Sequence, residues 1–359
     1  MSKAKGSAAK SSKAKSSEAK SSKAKKAVIT TLVVLTALAA VVLVGARIYF
    51  RAPVSGYYKA SEKAFKIPGL SDNMIPQGID HLEGEGLYLV GGYQKDAAPS
   101  RVYRIDNSGK SKGYVVLGDE GGNAIAPHAG GLAANGEYFY IAGDEDTFVW
   151  VYRLADVTGS SEGTVVTALG KFNTTFGDDG IRADFMCFDE GRFIVGEFYR
   201  DPNYLTPETH VSEVGAGEKN RALALSFNVS DGEGAEFGLE TKASEAYSLP
   251  DQVQGITVFD GKIWISQSYG TAISTIRSYD VSGSTPHYIE TKDGQLPVYD
   301  LCSADQVSEF KAPPMAEEIV FVDGRLLIMC ESASNKYIFG KLTGGSWCYS
   351  TDVNSTVLN

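Results

Sequence analysis

The stretch that decides the fold runs from Gln254 to Ser268 and reads Gln-Gly-Ile-Thr-Val-Phe-Asp-Gly-Lys-Ile-Trp-Ile-Ser-Gln-Ser. Two short apolar runs flank the dipeptide Asp260-Gly261. Glycine, and to a lesser extent aspartate, accepts the positive φ angles that a two-residue turn requires. The stretch therefore predicts a β-hairpin.

This hairpin pattern recurs four more times along the chain. Each copy contains an apolar run, a turn with a glycine and a second apolar run. The other copies begin near Gln77, Ala129, Asp184 and Glu317, and their turn glycines are Gly86, Gly136, Gly191 and Gly324. Five copies of one hairpin are an internal repeat, which predicts a ring or an array of similar units.

Further strands complete each unit, so the expected fold class is all-β. Third strands are predicted at 101–105, 149–154, 222–227, 275–279 and 336–340, and fourth, more polar strands at places such as 114–117 and 287–290. Four antiparallel strands repeated around a ring form a β-propeller, an architecture that leaves few exposed sheet edges.

The spacing of the turn glycines predicts the number of blades. The residues before the first of these glycines and after the last amount together to about one further interval. We therefore expect a five-bladed β-propeller in which an early strand, at 63–67, completes the sheet of the last blade. A six-bladed ring is the alternative, and its extra blade would have to lie between residues 191 and 261.

The N-terminal fifty residues differ in composition from the rest of the chain. Residues 1–26 are almost wholly Lys, Ser and Ala, a composition that predicts a disordered tail. Residues 27–46 are apolar and uncharged, and about 20 such residues span the roughly 30 Å core of a bilayer. We assign residues 27–50 to a transmembrane signal-anchor helix, 51–73 to a linker with the ring-closing strand, and 74–359 to the propeller.

The lysines before the apolar run predict the orientation of the chain. Under the positive-inside rule the tail stays in the cytoplasm, and the C-terminal domain is extracytoplasmic. The alternative is a cleaved signal peptide that releases a secreted propeller.

Charge and cysteine content exclude some classes of partner and site. The net charge is −10 even though the tail is rich in lysine, so the remainder is strongly acidic and repels nucleic acid. Contact with a membrane is expected only through residues 27–50. The four cysteines show no C-x-x-C spacing, which argues against structural zinc, and Cys302 with Cys348 is the favoured disulfide pair.

Polar residues recur at the start of each innermost strand. A column seven residues before the turn glycine, taken as Gly84 in the first repeat, contains Gln77, His128, Asp184, Gln254 and Glu317, with His128 included if Gly130-Gly131 forms a bulge. The loops after the second strands add further polar and aromatic residues. They are Asp144, Glu197, Gln267, Glu331, Tyr93 and Tyr269. In a propeller both sets meet at one end of the central channel, so we expect a ligand site at this mouth.

Such a ring of polar groups can have three roles. The side chains can simply form hydrogen bonds with one another and with ordered water. They can bind a divalent cation such as calcium, or with His128 a transition metal, and the candidate ligands are Asp184, Glu317 and His128. The same three residues are the candidates for catalysis, because paired carboxyl groups with different pKa values cleave glycosides or activate water.

The repeated Gln-Gly-Ile and Glu-Glu-Ile starts, with their Asp-Gly turns, resemble the bacterial extracytoplasmic β-propellers. That group includes quinoprotein-like, strictosidine-synthase-like and gluconolactonase-like proteins, and the resemblance covers residues 74–340 as a pattern. It implies a cation at the channel mouth, as in the gluconolactonase-like members, although the ring here contains no Asn. Five-bladed glycosidases place three carboxylates around the channel, and here only Asp184 and Glu317 fall in the column.

These observations predict a membrane-anchored binding module. The expected ligand at the mouth is a small molecule, a glycan or a surface protein. The alternative is a hydrolase of the lactonase or glycosidase type that uses Asp184, Glu317 and His128. A long insertion at 199–220 is either functional or disordered.

Overall fold

The computed structural model describes residues 5–143, 147–337 and 339–358. The chain divides into two compact units, Met1–Ala52 and Pro53–Asn359. The second unit begins well before residue 74, where the sequence analysis places the start of the propeller. Val54 and Tyr57 lie in the segment assigned to a linker, yet each is only 1% exposed. This segment therefore contributes to the folded core.

The first unit is helix α1 (Lys5–Arg51). The apolar run lies within it, and its side chains are exposed, with Val28 at 58% and Val41 at 68%. Among the described residues one helical stretch, Ser22–Ala60, is long and apolar enough to cross a membrane. The Thr36 hydroxyl donates to the Leu32 carbonyl at 2.8 Å, which satisfies it without water.

The tail differs from the prediction. The sequence predicts disorder for residues 1–26, but α1 already begins at Lys5, and residues 1–4 lie outside the described part of the chain. Lysine and alanine both have high helix propensity. Because the apolar helix follows without a break, the tail extends an existing helix and does not have to nucleate one.

The second unit begins with helix α2 (Ser55–Ala60) and strand β1 (Ser61–Lys66). Blade 1 follows as an antiparallel sheet of sequential strands. They are β2 (Met74–Leu82), β3 (Leu87–Gln94), β4 (Arg101–Asp106) and β5 (Ser111–Gly118).

Blade 2 contains four antiparallel strands and is tied to blade 1. The elements, in chain order, are β6 (Leu132–Asn135), β7 (Tyr138–Ala142), β8 (Phe148–Arg153), helix α3 (Leu154–Gly159), β9 (Val165–Thr167) and β10 (Gly170–Asn173). Strand β9 leaves blade 2 and pairs in parallel with β5. The outer edge of blade 1 is thereby covered.

Blade 3 is the largest and is preceded by a two-stranded ribbon. The elements are the ribbon β11 (Thr175–Phe176) and β12 (Asp179–Gly180), then β13 (Phe185–Asp189), β14 (Arg192–Gly196), a second ribbon of β15 (Ser212–Val214) and β16 (Glu218–Asn220), β17 (Ala222–Val229) and β18 (Leu239–Leu249). The second ribbon lies in the long insertion, which is therefore ordered in this structure.

Blade 4 lends two strands to blade 3. The elements are β19 (Val253–Phe259), β20 (Lys262–Gln267), β21 (Ser274–Tyr279), β22 (His287–Thr291), β23 (Gly294–Asp300) and β24 (Gln306–Ala312). Strand β23 pairs in parallel with β18, and β22 pairs with β23. The assignment of 287–290 to the fourth strand of blade 4 was therefore wrong, since β24 takes that place and β22–β23 cover the edge of blade 3.

Blade 5 closes the ring. It consists of β25 (Ala316–Val322), β26 (Arg325–Cys330), β27 (Trp347–Thr351) and β1, with helix α4 (Gly340–Thr343) before β27. The pairing of β1 with β27 confirms the predicted ring-closing strand. The third strand expected at 336–340 was wrong, because β27 takes that place in the sheet. Just after that segment, Lys341 Nζ donates to the Ala333 carbonyl at 2.8 Å.

The hairpin turns have the backbone conformation that the sequence predicts. Asp260 and Gly261 have φ angles of 52° and 68°, and Asp323 and Gly324 have 51° and 73°. Two consecutive positive φ angles match the right-handed twist of the flanking strands. The repeated Asp-Gly signal therefore marks real turns between the first and second strands of these blades.

Five apolar clusters join the blades, one at each junction. The pairs that share a cluster include Leu89 with Phe139, Tyr140 with Phe193, Ile194 with Ile256, Ile276 with Ile319, and Phe65 with Ile79. The last junction joins blade 5 to blade 1. Five junctions close a five-bladed propeller, as predicted, and exclude the six-bladed alternative.

All four cysteines are free thiols. The predicted Cys302–Cys348 pairing is wrong because the two residues belong to different sheets. Cys348 lies in β27 of blade 5, whereas Cys302 follows β23, and its thiol donates to Asp305 Oδ2 at 3.2 Å.

Candidate functional site

The carboxylate of Glu318 links the inner strands of four blades. Glu318 is 1% exposed and lies in an irregularity of β25 between Ala316 and Ile319. Its oxygens accept the backbone N–H of Ile79 at 2.8 Å, of Met186 at 3.0 Å and of Leu132 at 3.0 and 3.2 Å. One side chain from blade 5 therefore holds the inner strands of blades 1, 2 and 3.

Glycines make room for this carboxylate. A Cβ on Gly131 would lie 2.6 Å from Glu318 Oε1, and one on Gly78 would lie 3.0 Å from Oε2. A Cβ on Gly255 would lie 2.6 Å from the Glu318 Cα. Glu318 was not among the predicted site residues. A signal exists in the sequence, since the equivalent position is glycine in three repeats (Gly78, Gly131 and Gly255) and glutamate only in the fifth.

The adjacent Glu317 has a different environment. It is 2% exposed, and its carboxylate makes no hydrogen bond to any of the described residues. Burial raises its pKa well above the usual range, and the charges of Glu331, Asp184 and Glu318 raise it further. Its backbone carbonyl is held by the Ser266 hydroxyl at 2.6 Å. Glu317 thus presents to the channel a carboxyl group to which no described residue donates a hydrogen bond.

Glu331 lies close to Glu317 and is covered by aromatic residues. The hydroxyls of Tyr93 and Tyr337 donate to its Oε1 at 3.0 and 3.1 Å. Lys336 Nζ is 3.7 Å from the same oxygen and donates to the Tyr93 hydroxyl at 2.6 Å. Burial raises the pKa of Glu331, and the charge of Lys336 and the tyrosine hydroxyls offset part of that shift.

Asp184 is the third acid of this group. It is half-buried, and its Oδ2 accepts the Phe198 N–H at 2.9 Å. Burial raises its pKa to about 6, although the Phe198 N–H and the charge of Arg182 act in the opposite direction. Asp184, Glu317 and Glu331 lie close enough for their charges to interact. We call these three residues the mouth acids.

Glu197 connects the long insertion to blade 3. Its Oε1 accepts the Leu223 N–H at 3.0 Å and lies 2.6 Å from His210 Nδ1. Asp179 lies 3.4 Å from the other ring nitrogen. Burial alone would lower the pKa of His210, but the hydrogen bond and charge of Glu197 raise it overall. These contacts hold the long insertion against blade 3, a connection that the sequence analysis did not predict.

The other predicted site residues are spread around the same end of the channel. His128 is exposed and stacks on Tyr93 at a centroid distance of 4.5 Å. The N–H groups of Ile79, Leu132 and Met186 all donate to Glu318, so these three residues are equivalent. The column residue lies two positions earlier in each strand, which is Gly130 in blade 2. His128 therefore does not belong to the column. Asp144 lies outside the described residues.

Gln77 and Gln254 do belong to the column, and Tyr269 lies at the rim. Gln77 is 4% exposed, and its amide donates to the Pro76 carbonyl at 3.0 Å. Gln254 is half-buried. Tyr269 stacks on Phe198 at 6.4 Å and carries the Arg200 guanidinium 3.7 Å above its ring. The rim is therefore aromatic around an acidic centre.

Within the described ranges, no group of three or more His, Cys, Asp or Glu side chains is arranged to hold a metal ion. The candidate ligands Asp184, Glu317 and His128 do not form such a group. His128 is exposed and stacks on Tyr93, whereas Glu317 is buried and Asp184 is half-buried.

The sequence matches no protein-family model and no curated protein. Solved structures that resemble the chain include the glutaminyl cyclase of Myxococcus xanthus, with 12% identity over 81% of this chain and 94% of that chain and a TM-score of 0.41. The PQQ-bound aldose sugar dehydrogenase of Streptomyces coelicolor has 14% identity over 75% and 76% and a TM-score of 0.39. A glucose dehydrogenase-type oxidoreductase of Thermus thermophilus has 12% identity over 81% and 98% and a TM-score of 0.41. Likeness at this level carries no argument about activity.

The raised pKa of Asp184 predicts a specific pH dependence of stability. A carboxyl group whose pKa is raised to about 6 by folding stabilises the fold below pH 4 and loses that contribution as pH rises towards 6. In Asp184→Asn the group cannot titrate. The unfolding free energy of the variant, relative to wild type, should rise by roughly 2–3 kcal/mol between pH 4 and 7.

Urea unfolding of the full-length chain across this pH range measures the difference. Asp80, whose pKa burial also raises to about 6, titrates in both proteins and cancels. The exposed Asp231→Asn is the matched control and should show a flat difference. A flat difference for Asp184→Asn as well would contradict the assigned environment.

Proposed function

We propose that this chain is a membrane-anchored β-propeller that binds a small ligand at its channel mouth, on the extracytoplasmic side. The anchor is the apolar helix in α1, and the lysines before it set its orientation. The ligand groups are the mouth acids together with the aromatic side chains around them.

The observation that carries this proposal is the state of Glu317. The Glu317 side chain is almost fully buried, yet its carboxyl group has no hydrogen-bond partner among the described residues. Glu318, the next residue, shows that the same blade can provide several N–H donors to a buried carboxylate. The Glu317 carboxyl group is therefore available to a ligand at the channel mouth.

The surroundings define the kind of ligand. Tyr93, Tyr337, Phe198 and Tyr269 present aromatic faces or hydroxyls near the acids, and such faces bind both organic cations and sugar rings. The acidic surface repels nucleic acid. A small molecule is the favoured ligand. Binding of a glycan or of a surface protein would be a different result of the binding experiment described next.

Replacing Glu317 by Gln should weaken ligand binding. Loss of a charge-assisted hydrogen bond costs roughly 1.5–3 kcal/mol, so affinity for the ligand should fall at least about tenfold. Calorimetry of the full-length chain with alkylammonium ions, mono- and disaccharides and calcium identifies which ligand binds.

The exposed Glu290, at the outer edge of blade 3, provides the matched control, Glu290→Gln. Binding that requires Glu317 but not Glu290 supports the mouth site. Calcium binding that requires Glu317 would make the site a cation site. If every ligand that binds does so equally well to wild type and Glu317→Gln, the site assignment is wrong.

A hydrolase is the second candidate, and the observation that favours it is the set of raised pKa values at the mouth acids. A carboxyl group with a pKa of about 6, such as Asp184, can donate a proton near neutral pH while a neighbouring acid is ionised. If lactones or glycosides are hydrolysed, Asp184→Asn should lower kcat by about 10² to 10⁴-fold. Undiminished turnover in that variant would remove Asp184 from the mechanism.

The proposed orientation has its own test. An alkaline phosphatase domain fused after residue 359 should be active only outside the cytoplasm, because the positive-inside rule keeps the lysines of the tail inside. Exchanging those lysines for glutamates should reduce the active fraction. A cytoplasmic C-terminal domain in the wild-type chain would contradict the proposal.

A further inference from the structure

The ammonium group of Lys336 occupies a cage at the channel mouth. Its Nζ lies 5.2 Å from the ring centroids of both Tyr93 and Tyr337. It donates to the Tyr93 hydroxyl at 2.6 Å and lies 3.7 Å from Glu331 Oε1. A tyrosine hydroxyl, a second aromatic ring and a buried carboxylate are surroundings that favour a bound ammonium group.

The cage contains a hydrogen-bond acceptor that Lys336 does not contact. The side chain of Lys336 is 41% exposed, whereas that of Glu331 is 10% exposed. Behind them, Glu317 is close enough for its charge to act on Lys336, Tyr93 and Tyr337. Its carboxylate nevertheless makes no hydrogen bond to the described residues, so one acceptor of the cage remains available.

We propose that Lys336 stands in for the primary ammonium group of a ligand, which displaces Lys336 and binds between Tyr93, Tyr337, Glu331 and Glu317. This inference rests on the proposed function and names the ligand class for the same site. Lys336 thereby acts as a tethered competitor that keeps the acids neutralised when the ligand is absent.

The number of acceptors selects a primary ammonium. The Tyr93 hydroxyl and the carboxylates of Glu331 and Glu317 supply three acceptors, and a primary ammonium has three N–H donors. A quaternary ammonium has none and would leave the Glu317 carboxylate without a hydrogen bond. The Lys336 side chain is 41% exposed, so it can swing into solvent while a ligand ammonium takes over its contact with the buried Glu331 carboxylate.

The probe for this site is n-butylammonium, which has the length and charge of a lysine side chain. We expect saturable binding to the full-length wild-type chain, measured as a concentration-dependent rise in Tm. Lys336→Ala, which removes the competitor, should bind the probe at least tenfold more tightly. In the Lys336→Ala background, Glu317→Gln should weaken binding at least tenfold. Neither 1-butanol nor tetramethylammonium should bind.

Two further variants keep the test decisive. Lys336→Met retains the length of the side chain and replaces Lys336→Ala if the smaller residue impairs folding. Lys311→Ala is the matched control, since Lys311 also pairs with a carboxylate, Glu309 at 2.7 Å, but lies in β24 and should not change binding.

The outcomes separate this inference from the proposed function. No binding to wild type, or binding to Lys336→Ala that is independent of Glu317, would show that Lys336 is only a permanent neutraliser of Glu331. Equal binding of tetramethylammonium would also overturn the inference. A sugar or calcium that binds through Glu317 while n-butylammonium does not would refute the amine ligand and leave the mouth site standing.

Discussion

The ring depends on one buried carboxylate that holds backbone groups of three other blades. Glu318 accepts N–H groups from β2, β6 and β13, which otherwise belong to separate sheets. A buried acceptor with several N–H donors is worth more than isolated pairs, because each donor left without a partner costs about 1–3 kcal/mol. Gly78 and Gly131 leave room for the Glu318 carboxylate, and Gly255 lets blade 4 approach the backbone of Glu317 and Glu318.

Glu317 and Glu318 are neighbours in sequence with opposite energetic roles. The irregularity in β25 turns both side chains away from solvent, but only Glu318 meets donors. Glu317 instead meets the negative charges of Asp184 and Glu331. A site that gathers three acids and satisfies them only in part lowers the stability of the fold, a cost typical of functional sites. A bound cation would relieve it, since it supplies the missing charge and donors.

The sequence was sufficient for the architecture. Asp-Gly turns are local signals that need no tertiary information, and their spacing predicted five blades and the closing strand β1. The prediction failed where tertiary contacts override local pattern. Strands β22 and β23 alternate like blade 4 strands but pair with blade 3. In blade 5, β27 takes the place that residues 336–340 were expected to fill.

The candidate site was predicted only in outline, for a physical reason. The polar column brought Asp184 and Glu317 to one end of the channel, and the second loops added Glu331 and Tyr93. Whether a buried carboxylate meets backbone N–H donors depends on a shift of one residue at a bulge. The sequence pattern does not show where such a bulge lies. The same kind of shift misplaced His128, and the partner of Glu197 is His210, which lies in an insertion without periodicity.

The most direct test of this account is the unfolding free energy of two single variants, Glu317→Gln and Glu318→Gln, at pH 8. The account predicts that Glu318→Gln loses at least about 2 kcal/mol, because an amide that carries its own N–H donors cannot accept all the backbone N–H groups. It predicts that Glu317→Gln is as stable as wild type or more stable, since a neutral amide removes a buried charge that lacks a partner. An equal loss in both variants would show that Glu317 is a structural acid like its neighbour, and would contradict the assignment of the mouth as a ligand site.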